Sequence, residues 1–280
     1  MKISVFYDHI TQAKEQTNRS LDDLLGEIKK DGIDGIEIDY SQLASDKSNI
    51  LSALGKAGLQ ISCIYESYDW GNDSNIEQAR QQICLAKENG ASKILVIPGF
   101  LPEQEAALLN NCSKSYEETA SFMEKNESVQ NMKRALTELT DYAAQAGVFV
   151  TLEDFDKETA PFSRMYQLKW FMENVPGLRY TLDTGNFAYS DENVEAAYDL
   201  LSDKIVHVHC KDRGIEGEPK GEFHRGMRVC AVGQGYIPIK KLVRKIEAKG
   251  YSGFFAIEHF DAPDQMAYIK ESAEYLQQET

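Results

Sequence analysis

The chain has 280 residues and carries 45 acidic against 30 basic side chains, a formal charge of −15. Its composition, 42% hydrophobic and 27% charged, excludes a disordered or fibrous class. So acidic a chain offers polyanions little net attraction, which argues against nucleic acid or an anionic membrane surface as a partner.

Five cysteines, Cys63, Cys84, Cys112, Cys210 and Cys230, lie far apart without a CxxC pair. Their odd number and spacing read as reduced thiols. The first ten residues, MKISVFYDHI, turn polar by Asp8 and lack the apolar stretch of a secretory signal. No run approaches the roughly 18 apolar residues of a membrane span. The expectation is a cytoplasmic protein.

Short β-rich runs recur through the chain, at 3–7, 35–38, 59–65, 93–97, 148–152, 178–182, 205–209 and 254–257. Most are continuous apolar runs, the pattern of parallel strands covered on both faces. Helical spacing fills the intervals: Leu21, Leu24, Leu25 and Ile28; Ala79, Ile83 and Ala86; Met132, Leu136 and Leu139; Leu242, Ile246 and Ala248. Several helices stop at a glycine just before a strand, as at Gly58 and Gly147, where a left-handed cap costs glycine nothing. Eight alternating units predict a single-domain (β/α)₈ TIM barrel. An open doubly wound sheet is the competitor, but no GxGxxG follows the first strand, which argues against dinucleotide binding. The longest connection, about 98–126, is a possible lid insertion with partly helical sequence.

In a barrel the chemistry sits at the carboxyl ends of the strands. Strands five to eight end at Glu153, Asp183, His209 and Glu258. A charge placed after a long apolar run needs a partner, and one shared divalent cation supplies it. Three carboxylates and an imidazole favour Mn²⁺ first, with Mg²⁺, Co²⁺ or Zn²⁺ also possible.

These pieces resemble the xylose isomerase-like superfamily of sugar isomerases and epimerases. The likeness runs from GIDGIEI of strand two to GYSGFFAIEH of strand eight. Its most specific parts are LDTGN around Asp183, HVHCKD around His209 and VGQG at 232–235. The resemblance implies that Glu153, Asp183, His209 and Glu258 bind one metal. In members similar to D-tagatose 3-epimerase, the two glutamates, here Glu153 and Glu258, are also the acid and base. It implies further that Glu37 and Asn186 lie near the sugar. Asn186 stands where the family often has a histidine, and it cannot titrate near neutral pH. The resemblance also implies a small carbohydrate substrate and a possible homo-oligomer.

Further mouth residues are expected to bind substrate: Lys211 and Arg228 ahead of Arg213, His224 and Arg225, and Tyr65 at the end of strand three. Glu37 fits a hydrogen-bonding role behind the ligands equally well. His9 is expected in a loop, His207 pointing away from His209, and His259 facing the helices. Tyr68 and Trp70 are candidates for a sugar platform or for packing. The leading function is α-proton abstraction on a small ketose or related polyol. A lyase or dehydratase on a keto-sugar or inosose shares that first step. An endonuclease IV type of DNA repair enzyme needs many more histidines than five, and a non-catalytic sugar-binding barrel would not need every ligand position filled.

Overall fold

A computed structural model describes residues 1–278. Eight parallel strands close into a barrel in the order β1-β10-β7-β6-β5-β4-β3-β2. They are β1 (Lys2–Phe6), β2 (Gly35–Asp39), β3 (Gln60–Ser67), β4 (Lys93–Ile97), β5 (Phe149–Glu153), β6 (Arg179–Asp183), β7 (Ile205–Lys211) and, after a two-stranded ribbon of β8 (Arg213–Gly214) and β9 (Arg228–Val229), β10 (Phe254–Glu258). The barrel is the TIM fold that the alternation predicts, and every predicted strand is present within a few residues.

Side chains such as Ile36, Ile38, Ile64, Ile94, Val96 and Leu152 are fully or almost fully buried between sheet and helices. The four patterned helices form over Leu21–Lys30, Glu77–Glu88, Glu127–Ala146 and Ile239–Ala248. Asn126 starts the longest by accepting the Val129 N–H, and Gly147 ends it at φ +73°. Segment 98–126 holds two helices, Glu103–Cys112 and Tyr116–Met123. Leu101 N–H donates to the Thr159 carbonyl, and the Gln167 amide reaches Asn110 and Ser113, which tie the segment to its neighbours.

The loop after β7 is built on one carboxylate. Asp212 accepts the backbone N–H groups of Arg213, Gly233, Gly235 and Ile237 at 2.8, 2.9, 2.9 and 3.1 Å. A Cβ on Gly235 would lie 2.2 Å from Asp212 Oδ1, which accounts for the last glycine of VGQG. Hydrogen bonds to a charged acceptor contribute about 1.5–3 kcal/mol each, so Asp212→Ala should release this loop. Limited trypsin digestion is then expected to cut at Lys220, Arg225 or Arg228 roughly tenfold faster or more than in the wild type. An unchanged rate would show that the loop does not depend on Asp212.

Candidate metal and acid–base site

Glu153, Asp183 and Glu258 are the last residues of β5, β6 and β10. His209 lies two residues before the end of β7, because that strand runs on to Lys211. One ligand atom from each of the four falls within 4.8 Å of the others, and all four residues are buried. His209 Nδ1 is 2.7 Å from Glu153 Oε1 and 3.1 Å from Glu258 Oε2. The strand-end reading therefore brings its four residues to one point.

Glu37 is not at the mouth. β2 continues to Asp39, so Glu37 sits deeper, fully buried inside the barrel. Its carboxylate is 3.2 Å from His209 Nε2 and 2.7 Å from His207 Nε2. An ionised carboxylate only accepts, so both Nε2 atoms donate to Glu37, and Nδ1 is the His209 nitrogen that faces the acidic ring. Burial pushes the His209 imidazole down, but Glu37, Glu153 and Glu258 outweigh it and hold it well above its ordinary value, so Nδ1 carries a proton toward the carboxylates. Burial pushes Glu37 up, but the two imidazoles outweigh it and hold the carboxyl well below the usual carboxylate range. His207 thus shares a face with His209 rather than pointing away, since residues two apart on a strand project to one side. The Cys63 thiol joins Glu37 and His207 in a second buried group.

The acids of the ring differ in environment. Burial raises Glu153 to about 7, with Glu258 adding to the rise and His209 opposing it. Burial also pushes Glu258 up, but the Lys211 ammonium and His209 reverse that and hold it well below its ordinary value. Lys211 Nζ is 2.7 Å from Glu258 Oε1 and 3.3 Å from Asp156 Oδ2.

Asp183 is fixed from its own turn. Its Oδ1 accepts the N–H groups of Gly185 and Asn186 at 2.7 and 2.8 Å, while Oδ2 is buried with no hydrogen-bond partner. Asp154 supports it from outside the barrel, accepting the Tyr180 hydroxyl at 2.6 Å and the Asp183 N–H at 3.0 Å. Thr184 links the turn to β7 through the Lys211 carbonyl and N–H at 2.8 and 2.9 Å. Asn186 donates to the Asp154 carbonyl at 2.8 Å and accepts from Arg213 at 3.0 Å, so both ends of its amide are engaged by the protein.

The remaining candidates divide. Tyr65 lies at the rim, where its hydroxyl donates to Asp8. Arg228 stands exposed on the two-stranded ribbon, opposite Gly214. His9 is not in a loop: it lies in the helix Tyr7–Thr17, fully buried and stacked on His259 at 4.6 Å, and its Nε2 accepts the His259 N–H. His259 faces the helices as expected, edge-on to Tyr268 in the last helix. Trp70 is buried, stacked on Tyr68 at 4.4 Å, and donates to the Asn75 carbonyl, an arrangement of packing. Asp154, Asp156 and Asp212 were not singled out from sequence. Each closely follows a residue of the ring, at Glu153+1, Glu153+3 and His209+3, and that proximity is the available signal.

Removing Glu37 leaves two buried imidazole N–H groups without an acceptor. Glu37→Ala is expected to cost roughly 3–5 kcal/mol in denaturant unfolding, the scale for breaking a buried charged pair. A loss below about 1 kcal/mol would contradict the buried network.

No curated protein matches the sequence. Among solved structures it is similar to a probable 3-DHS dehydratase from Bacillus anthracis (18% identity, 99% of each chain covered, TM-score 0.71). It is similar to a 3-keto-D-glucoside 4-epimerase from E. coli (20%, 99% of each chain, 0.69). A third similar structure is a xylose isomerase-like TIM barrel protein from Mycobacterium smegmatis in complex with magnesium (20%, 91% of this chain and 86% of that one, 0.65). At these identities the likeness is one of fold. Residues 25–279 match the family described as xylose isomerase-like TIM barrel, and the chain belongs to that family.

Proposed function

We propose that this barrel is a divalent-metal-dependent isomerase or epimerase acting on a small ketose or related polyol. The buried ring of Glu153, Asp183, His209 and Glu258 carries the reading. Three carboxylates at this separation repel one another unless a cation or protons lie among them. Asp183 Oδ2, buried without a partner, is the donor such a cation would satisfy. The oxygen-rich set suits Mn²⁺ or Mg²⁺, with Co²⁺ and Zn²⁺ as further occupants. The magnesium complex of the similar Mycobacterium protein supports the same class of ion. When bound, the cation supplies Lewis-acid stabilisation of negative charge developing on the substrate's oxygens.

The chain's own residues do the rest. Glu153 and Glu258 come from different strands and reach His209 Nδ1 separately, so each can address the substrate from its own side. One takes the proton α to the carbonyl and the other returns a proton, which inverts or moves the centre. Lys211 fixes Glu258 through Oε1 and keeps an ammonium proton for a substrate oxygen. A lyase or dehydratase reading is supported by the fold likeness to the Bacillus anthracis protein. It uses the same proton abstraction, followed by loss of a leaving group β to the carbonyl.

A ketohexose, 3-keto-glycoside and inosose panel in deuterated water separates these outcomes. Epimerisation with deuterium entering the α-carbon, lost with EDTA and restored by Mn²⁺ or Mg²⁺, is expected. Elimination without epimer formation would transfer the assignment to a lyase, and full activity after chelation would refute the metal. Glu153→Gln and Glu258→Gln should each lower kcat by ~10²–10⁴-fold, the usual contribution of a positioned acid or base. Either variant at wild-type rate would refute the pair.

A further inference from the structure

Resting on that reading, we infer that the site takes an uncharged sugar, neither phosphorylated nor carboxylated, and that Asp156 enforces this choice. The mouth holds two buried cations beside the acidic ring, Lys211 and Arg213, whose side chains are 11% and 7% exposed. Both are already engaged. Asp156 Oδ2 lies 3.3 Å from Lys211 Nζ and 2.5 Å from Arg213 Nη2. Glu258 takes a second face of Lys211 at 2.7 Å. Arg213 also donates to the Asn186 side chain at 3.0 Å and to the Gly185 carbonyl at 3.2 Å.

The charge sum points the same way. Counted as ionised, Glu37, Glu153, Asp183, Glu258 and Asp156 give −5, Lys211 and Arg213 give +2, and a divalent ion would give +2, a total of −1. Asp8, at the rim on the Tyr65 hydroxyl, adds a further acid to the mouth. At the mouth, among the described residues, a phosphate or carboxylate has no unclaimed buried cation to meet. It would have to break the Asp156 pairs and leave that carboxylate beside it, which is a device of rejection as much as of binding. Hydroxyls and a ketone carry no such cost, and the spare Lys211 and Arg213 N–H groups can donate to them. The exposed Arg225 and Arg228 lie outside this network.

Calorimetric titration in Mg²⁺ buffer tests this with D-tagatose, D-tagatose 6-phosphate and inorganic phosphate. The wild type is expected to bind the free ketose more tightly than its phosphate ester, by roughly tenfold or more. Asp156→Asn frees both cations and should reverse or erase that preference and tighten inorganic phosphate by roughly tenfold. Asp156→Glu, which keeps the charge, should restore the wild-type ratio. A wild type that prefers the phosphate ester, or phosphate binding equal in wild type and Asp156→Asn, overturns the inference. If no ketose binds or turns over while phosphate binding still rises in Asp156→Asn, the isomerase reading fails and the role of Asp156 stands.

Discussion

The hydrogen bond from His209 Nε2 to the buried Glu37 carboxylate is the contact on which the rest of the site depends. It keeps a proton on Nε2, and so it aims Nδ1 at Glu153 and Glu258 as the nitrogen that would give up its proton to ligate a cation held among them. An ionised carboxylate in the middle of a barrel would be prohibitively costly alone. It is tolerated because His207 donates to it from the layer below at 2.7 Å. The ring of acids and His209 at the mouth is thus anchored one layer down, inside the barrel.

Each remaining residue of the ring has a support of the same kind. Asp154 holds the backbone of Asp183, the turn after Asp183 holds one of its oxygens, and Lys211 holds Glu258. Asp212 holds the loop that follows Lys211. These supports sit on strand ends and on tight turns, where backbone position is fixed by the sheet. That is how a rigid scaffold can keep several like charges within a few ångströms at a useful geometry.

Much of this was readable from sequence. The continuous apolar runs and glycine stops located all eight strands, because parallel strands buried on both faces leave that signature. Glu153, Asp183 and Glu258 were legible because an acid directly after such a run marks the strand's end. Depth was less legible: β2 continues one residue and β7 two residues past the expected end, so Glu37 sits deeper than the mouth. The orientation of His207 was misjudged against the two-residue period that places it with His209. Asp154, Asp156 and Asp212 were missed because their roles come from pairing with residues distant in sequence, Tyr180, Arg213 and Gly235, which no local pattern records.

The central claim is that Glu153, Asp183, His209 and Glu258 together hold one divalent ion. Diffraction from Mn²⁺-loaded crystals at a wavelength where manganese scatters anomalously tests it most directly. The account predicts one strong anomalous peak bonded to His209 Nδ1 and to an oxygen of each of the three carboxylates, at roughly 2.0–2.3 Å. A map with no peak there, with the four side chains still bonded directly to one another, would contradict it.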